Sequence, residues 1–218
     1  GPIRFAPVAY KDKIYVASDD GFVYCLAASD GSIIWKFNAS GSTRRCIGNE
    51  RCIAVRPCRG GPVVYNDILY VAAGIWPFEG VFIYALNPDD GSRIWVNDGS
   101  GATWMDQPHG GAVSFAGPAP QGYLAAGGNR LIVPNGRSVA AGFSLSDGSM
   151  KFYRHANNKS NGGWRVCIDN DRFYNAGKTF KLSDGSSASS SIDDAVWGKN
   201  DDITAGEKIA YCSGSKFV

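Results

Sequence analysis

Short runs of alternating apolar and polar residues recur along the whole chain, most of them bounded by glycine, aspartate or asparagine. The stretches "APVAYKDKIYVA" (6–17) and "GPVVYNDILYVA" (61–72) each hold two such runs around a polar turn. Alternation sends successive side chains to opposite faces of a strand, and a short polar break between two such runs is typical of a hairpin. The pattern predicts an all-β chain. We expect no helix of three turns, and at most one short helical turn at 191–199.

The two stretches are copies of one another. Pro7, Val8, Tyr10, Asp12, Tyr15, Val16 and Ala17 recur as Pro62, Val63, Tyr65, Asp67, Tyr70, Val71 and Ala72. Further along, Tyr24 and Leu26 match Tyr84 and Leu86 in a third run. Self-similarity at a fixed spacing is the sequence signature of a repeat architecture.

An Asp-Gly pair followed four residues later by a large aromatic closes each copy. The three sets are Asp30-Gly31 with Trp35, Asp90-Gly91 with Trp95, and Asp147-Gly148 with Phe152. Aspartate accepts hydrogen bonds from nearby backbone N–H groups and glycine tolerates a positive φ, so the pair predicts a turn. Placed between two copies, an aromatic buries ~150–250 Å², worth several kcal/mol at ~25 cal/mol per Å². We therefore expect a structural role for these residues. The fourth copy has Ser189 at the aromatic position.

Each copy is predicted to form four short antiparallel strands. The units lie at about 3–38, 60–97, 112–154 and 163–190, with a partial fifth at 200–218. A four-stranded sheet of this size leaves both faces open, and stacking copies around an axis buries them, as in a β-propeller. We expect an incomplete segment of a seven- or eight-bladed ring. A protein partner or the remainder of its own polypeptide would then close that ring.

Composition excludes some classes of partner. The 218 residues carry a net charge of +2, which gives no indication of nucleic-acid binding. No apolar run approaches the ~18 residues of a membrane span. The 28 glycines and the 44% hydrophobic content fit a turn-rich chain with a large apolar interior.

The closing phrases resemble the tryptophan-docking repeat of the pyrroloquinoline-quinone-like propellers. Stretches such as "GPIRFAPVAYKDKIYVASDDGFVYCL" and "RGGPVVYNDILYVAAGIWPFEG" are most similar to bacterial secreted proteins with these repeats. The family includes quinoprotein alcohol dehydrogenases and non-enzymatic relatives such as the propeller lipoprotein of outer-membrane assembly. The resemblance implies a periplasmic or extracellular location and says little about activity, because function depends on sites grafted onto a fold.

The resemblance also indicates what a quinone enzyme would need. Such enzymes hold pyrroloquinoline quinone with a disulfide between adjacent cysteines, a tryptophan platform, and a calcium site of Glu, Asn and Asp. The six cysteines here, at 25, 46, 52, 58, 167 and 212, include no adjacent pair. We expect no cofactor, no metal and no catalytic residue. Unpaired structural thiols are the favoured interpretation, with a disulfide within 46–58 and metal binding as the alternatives.

Two small polar clusters have competing interpretations. Asp106, Gln107 and His109 place a histidine near a carboxylate, which suits a general base, but no nucleophile accompanies them. "SDDG" (18–21) offers oxygens for calcium but lacks the spaced acidic ladder of a calcium loop, which favours a tight hairpin. His155 follows a strand and is expected to be exposed.

Long connections mark the most promising binding surface. Segments 39–59 and 99–120 exceed the usual ~2–8 residues between elements, and unit two carries an insertion at 73–80. Long loops on one rim of a scaffold commonly carry function. The candidate binding residues are Arg59, Trp76, Phe78, Trp104, His109 and Arg137. The alternative role for the aromatics is to cap the blade ends.

The sequence thus predicts a non-catalytic binding or scaffolding β-propeller module of a secreted or periplasmic bacterial protein. One alternative is a quinone- or metal-dependent oxidoreductase whose site is completed by residues outside this chain. Another is a structural component of a cell-surface assembly.

Overall fold

Strands joined by turns and loops dominate the part of the protein that the structure describes. The computed structural model describes residues 1–48, 50–136, 138–155 and 162–188, together with the backbone of strands at 203–204, 210–213 and 216–217. Within these residues a complete 3-10 turn lies at Pro77–Glu79. None of their helices has the length and apolar character needed to cross a membrane.

The strands form four main antiparallel sheets in chain order, joined by two small hairpins. The first sheet contains β1 (Val8–Tyr10), β2 (Lys13–Ala17), β3 (Phe22–Ala27) and β4 (Ile33–Asn38). Next come a hairpin, β5 (Arg45–Gly48) and β6 (Arg51–Ala54), and the second sheet, β7 (Gly60–Tyr65), β8 (Ile68–Ala73), β9 (Phe82–Leu86) and β10 (Arg93–Asn97). A second hairpin, β11 (Thr103–Asp106) and β12 (Val113–Ala116), is followed by β13 (Gly122–Tyr123), which pairs in parallel with β7.

The later sheets follow the same order. The third sheet contains β14 (Ala125–Gly127), β15 (Arg130–Asn135), β16 (Ser138–Ser144) and β17 (Met150–Phe152). The fourth contains β18 (Val166–Asp169), β19 (Arg172–Asn175) and β20 (Lys178–Lys181). The last strands are β21 (Ile203–Thr204), β22 (Ala210–Ser213) and β23 (Lys216–Phe217).

The Asp-Gly turns that follow the third strand of each sheet repeat one hydrogen bond between the Asp side chain and the backbone. In each turn the Asp carboxylate accepts from the N–H two residues later: Asp30 from Ser32 (2.9 Å), Asp90 from Ser92 (2.8 Å), Asp147 from Ser149 (3.0 Å) and Asp184 from Ser186 (2.8 Å). The four glycines, Gly31, Gly91, Gly148 and Gly185, have φ between +70° and +73°. Glycine is suited to this left-handed conformation because it has no Cβ.

The sheets stack face to face, with an apolar core between each consecutive pair. Tyr15 and Val23 of the first sheet pack with Leu69 of the second. Tyr70 and Ile83 from the other face of the second sheet pack with Phe143 of the third. Phe152 of the third packs with Phe173 of the fourth. The innermost strands β1, β7, β14 and β18 contact one another in turn, so the sheets are arranged as blades of a β-propeller.

Each closing aromatic lies between its own blade and the next. Trp35 Nε1 donates to the carbonyl of Pro88 (3.0 Å), and Trp95 Nε1 donates to the carbonyl of Leu145 (2.9 Å). Phe152 has no such donor and stacks on Phe173, with ring centroids 6.0 Å apart.

The observed sheets differ from the sequence-based units at two places. The third sheet begins at Ala125 rather than near 112, because 113–116 pair with 103–106 in a separate hairpin. The fourth sheet ends with β20 and a bridge from Phe180 to Ser187. Ser189 and the short turn predicted at 191–199 lie outside the described residues. In the partial fifth unit, the described part is the backbone of the three short strands β21, β22 and β23.

Candidate functional site

One edge of the stacked sheets carries nearly all of the long connections. Within an antiparallel sheet the second and fourth strands end at the same edge. The turns from second to third strands and the links between sheets therefore emerge together. We call this edge the link rim and define it by residues 18–21, 39–48, 50–59, 74–81 and 98–121. The Asp-Gly turns lie at the opposite edge.

Both long links fold into hairpins instead of open loops. The β5–β6 and β11–β12 hairpins each form a separate two-stranded sheet. A two-stranded hairpin leaves backbone N–H and C=O groups unpaired along its outer edges. Part of the β6 edge is used within the chain, because Ala54 N–H donates to the carbonyl of Asp19 at 2.8 Å, whereas β11 and β12 pair with no other described strand.

Two exposed rings pair on the second link, and a third exposed ring lies in the insertion of the second sheet. Trp104 and Phe115 are direct cross-strand partners, with ring centroids 5.0 Å apart in an edge-to-face arrangement. Their side chains are 62% and 68% exposed, and Phe78 of the neighbouring 3-10 turn is 81% exposed. We call Phe78, Trp104 and Phe115 the aromatic patch. Clustered exposed rings of this size are typical of interaction surfaces.

A pocket of about 370 Å³ lies beside the aromatic patch. The side chains that form it include Pro77, Phe78, Phe115, Ala116, Tyr153 and His155. The lining is mostly apolar, and its polar side chains are those of Ser138, Tyr153 and His155. This composition suits an apolar side chain with a few polar contacts.

The polar side of the pocket is a short chain of hydrogen-bonding groups. The hydroxyl of Tyr153 lies 3.4 Å from Ser138 Oγ and 3.1 Å from His155 Nδ1. Burial lowers the pKa of His155 below its usual value, which favours a neutral imidazole. Burial also raises the pKa of Tyr153, which stays a phenol. The tyrosine separates the serine from the histidine, so these groups do not form a nucleophile–base pair.

His155 is half-buried, so the prediction that it is exposed was wrong. It stacks on Tyr153 with ring centroids 5.5 Å apart. This contact covers one face of the imidazole, although the residue lies beyond the end of β17.

Arg59 is in a buried ion pair rather than on the surface. Its side chain donates to both carboxylate oxygens of Asp19, at 2.9 and 3.1 Å, and Arg4 donates to the same carboxylate at 2.9 Å. Arg59 is 9% exposed and Asp19 is fully buried. The surface contact predicted for Arg59 is therefore corrected to a structural pairing, because a buried carboxylate needs a cation beside it.

The other predicted binding residues have different environments. Trp76 is half-buried near Gly48 of the β5–β6 hairpin. His109 is exposed in the β11–β12 turn, where its carbonyl accepts from Ala112 N–H at 3.1 Å. Gln107 donates to carbonyls of its own hairpin. Arg137 lies outside the described residues.

The tight turn at 18–21 uses its carboxylates internally. Asp20 accepts from Phe22 N–H at 3.0 Å and from the Tyr24 hydroxyl at 2.7 Å. The amino group of Gly1 also donates to the Asp20 carboxylate, at 3.1 Å. These donors, with the arginines on Asp19, occupy the oxygens that a calcium ion would need.

The described residues do not fit the quinone–calcium group. The five described cysteines, at 25, 46, 52, 58 and 167, are free thiols. Cys46 and Cys52 pair across the β5–β6 hairpin with Ile53 and Ile47 rather than with each other. In this part of the chain no three His, Cys, Asp or Glu side chains are grouped closely enough to hold a metal ion.

Sequence reasoning missed three members of the site. Phe115 lies in an alternating run, "VSFA", which the repeat pattern assigns to the start of the third unit. The available signal was the glycine pair at 110–111. Two short alternating runs on either side of such a turn predict a hairpin. Tyr153 and Ser138 gave no local signal, because their proximity depends on how the third sheet packs.

Comparisons with known proteins agree with this architecture. The family model described as "Outer membrane protein assembly factor BamB" matches residues 1–169. The tetrathionate hydrolase of Acidithiobacillus ferrooxidans is 25% identical over 159 residues, which are 71% of this chain and 29% of that protein.

Two solved structures extend the comparison. Quinohemoprotein alcohol dehydrogenase ADHIIG from Pseudomonas putida HK5 superposes with a TM-score of 0.53 at 15% identity, covering 84% of this chain and 33% of that one. BamB from Moraxella catarrhalis superposes with a TM-score of 0.52 at 14% identity, covering 94% of this chain and 53% of that one. At these identities the likeness shows the fold alone. The chain spans less than two thirds of the length of each relative.

Proposed function

Because the chain belongs to the PQQ-repeat family described as outer membrane protein assembly factor BamB, we propose that it is a binding or scaffolding module of a secreted or periplasmic bacterial protein. Its link rim is the surface that meets a protein partner. The observation that carries the proposal is the aromatic patch, in which the exposed Trp104–Phe115 pair and the exposed ring of Phe78 border the same apolar pocket.

The β11–β12 hairpin suits a partner segment in extended conformation. An extended peptide adds a strand to a free sheet edge through main-chain hydrogen bonds, and neighbouring pockets select its side chains. Trp104 and Phe115 lie on one face of the hairpin, and Phe115 also lines the pocket. An apolar side chain of the partner would enter the pocket while its backbone lies along the hairpin.

A random peptide library displayed on phage tests this proposal. Peptides enriched on the full chain are measured against a variant with Trp104→Ser and Phe115→Ser. We expect affinity to fall at least about 10-fold, as expected for aromatic hot spots. The matched control is Ile33→Ser, which removes a similarly exposed apolar side chain (60%) beside the Asp30-Gly31 turn at the edge opposite the link rim, and we expect it to leave affinity unchanged. Enrichment of no peptides, or equal losses in both variants, would contradict the proposal.

The enzymatic alternative is tested on the same preparation. Titration with pyrroloquinoline quinone and calcium is followed by cofactor absorbance and by thermal unfolding. The binding-module proposal predicts neither a saturable absorbance change nor a shift in unfolding temperature. A saturable change in both would favour the oxidoreductase.

A further inference from the structure

The pocket beside the aromatic patch has an apolar body and a polar end. Its apolar walls include Pro77 and Phe115, and its polar end is the imidazole of His155 with the hydroxyls of Tyr153 and Ser138. Lysine, arginine, aspartate and glutamate are absent from the described residues that line it. A charged group that entered this pocket would lose its hydration without gaining a counter-ion. The pocket therefore favours an uncharged occupant.

The size of the pocket suits one side chain. Its volume of about 370 Å³ is near the lower end of the range of ~300–1,000 Å³ that is typical of ligand pockets. Phe78 and Phe115 both line it, and aromatic rings in offset or edge-to-face contact attract one another beyond the effect of area burial. The body of the pocket therefore suits a single aromatic ring.

The polar end offers Nε2 of His155 as a hydrogen-bonding atom. The hydroxyl of Tyr153 lies 3.1 Å from Nδ1 of the same ring. In the described part of the chain Nε2 has no hydrogen-bond partner, and it remains accessible. Burial favours the neutral imidazole, which carries its proton on one nitrogen. Nε2 is therefore a donor if Tyr153 donates to Nδ1, and an acceptor if Nδ1 donates to Tyr153.

A hydroxyl group fits Nε2 in either form of the ring. It accepts from the protonated nitrogen and donates to the unprotonated one, whereas a carbonyl only accepts and an indole N–H only donates. Among the aromatic side chains, tyrosine has a hydroxyl at the tip of the ring and is uncharged at neutral pH. Its shape and polarity therefore match the apolar body and the polar end together.

We propose that the pocket recognises a tyrosine side chain of the partner segment, with the ring against Phe115 and the hydroxyl hydrogen-bonded to Nε2 of His155. This inference rests on the proposed function, because the tyrosine belongs to the segment that lies along the β11–β12 hairpin. A polypeptide is the favoured source of the phenol, since Phe115 belongs to the pocket and also to that hairpin.

Two blocked amino acids that differ by one hydroxyl test the preference for tyrosine. N-acetyl-tyrosine amide and N-acetyl-phenylalanine amide are titrated separately into the full chain, and binding is followed by NMR. We expect the tyrosine amide to bind at least about 5-fold more tightly, which corresponds to one net hydrogen bond. Equal affinities, or saturable binding of neither compound, would overturn the inference.

The imidazole nitrogens give a direct signature of the predicted contact. The chain has two histidines, so nitrogen NMR can follow His155 with the exposed His109 as an internal control. The tyrosine amide should shift the Nε2 signal of His155, and the phenylalanine amide should shift it much less. The signals of His109 should stay in place. An unmoved Nε2 signal at saturation with the tyrosine amide would contradict the proposed hydrogen bond.

A matched pair of variants assigns the preference to one residue. His155→Phe keeps a ring that can stack on Tyr153 but removes both ring nitrogens, so the two amides should bind equally. His109→Phe makes the same change outside the pocket and should keep the preference. A preference that survives in His155→Phe would overturn the role of this histidine. If that variant does not fold, the nitrogen signals of the original protein still decide the question.

The outcome is separable from that of the proposed function. The variant with Trp104→Ser and Phe115→Ser measures peptide affinity whichever side chain enters the pocket. If peptides from the library bind this surface but carry leucine or phenylalanine in place of tyrosine, the binding surface stands and the preference for tyrosine is wrong.

Discussion

The indole of Trp35 lies directly against Gly91 of the next blade, where a Cβ would stand 2.8 Å from Cε3 of the ring. The same indole donates from Nε1 to the carbonyl of Pro88 at 3.0 Å. The aromatic and the glycine of one closing phrase therefore belong to different interfaces. Each aromatic pairs with the glycine of the following copy, so the repeated phrase fixes the stacking of blades as well as the turn.

Replacing Trp35 by alanine should destabilise the protein by about 3–5 kcal/mol, because it removes a large ring from between two blades and leaves a cavity. The matched control is Trp104→Ala, since Trp104 is 62% exposed and should lose about 1 kcal/mol or less. Urea unfolding of both variants gives the comparison. Equal losses would show that Trp35 does not hold the blades together.

Gly91→Ala and Gly31→Ala separate backbone strain from crowding. Both glycines have nearly the same φ, +72° and +73°, so each alanine should cost about 1–2 kcal/mol for the left-handed conformation. Gly91→Ala should cost about 1–3 kcal/mol more, because its Cβ meets the Trp35 ring. The free energy of unfolding in urea measures the difference. If the two variants are equally stable, the contact with the ring does not constrain position 91.

The Asp-Gly turns should make stability fall in acid. Hydrogen bonds from the Ser149 backbone N–H and hydroxyl lower the pKa of Asp147 to about 2. A carboxyl with a lowered folded-state pKa contributes stability above its unfolded pKa of about 3.9 and loses that contribution as pH falls toward 2. Asp147→Asn keeps an acceptor oxygen but does not titrate. Its urea midpoint should decline less between pH 4 and pH 2, with a constant offset above pH 5. If the urea midpoints of the variant and the original protein run parallel from pH 7 to pH 2, Asp147 does not contribute to the loss of stability in acid.

The cysteines should differ in reactivity according to burial. Cys52 is exposed, whereas Cys25, Cys58 and Cys167 are buried, and burial raises the pKa of Cys167 to about 11. Since the thiolate is the reactive form, maleimide at pH 7.5 should label Cys52 in the native protein. The three buried thiols should react only after unfolding. Mass spectrometry of peptides reports each site, and rapid native labelling of Cys58 would contradict the packing of the first two blades.

The repeat could be predicted from sequence because its signals are local. Strand alternation, the Asp-Gly turn and the position of the closing aromatic can each be recognised within one copy, and the first two sheets end at Asn38 and Asn97, shortly after their closing aromatics. The partner of each aromatic is non-local, and only the spatial order of the blades identifies it.

The link rim was harder to predict for the same reason. The sequence around Arg59 is typical of an exposed loop, but Asp19, 40 positions earlier, pairs with it in the interior. The link hairpins were expected to be loops, because their strands lack a matching copy elsewhere in the chain. Phe115 was placed in the wrong sheet, since strand periodicity does not specify the pairing partner.

Hydrogen exchange of the indole N–H groups, followed by NMR, tests the central claim most directly. The chain has six tryptophans, and single Trp→Phe variants assign the Nε1–H signals. Interblade hydrogen bonds predict that the signals of Trp35 and Trp95 exchange at least about 10-fold more slowly than that of Trp104. Exchange of Trp35 and Trp95 as fast as that of Trp104 would contradict blades locked by their indoles.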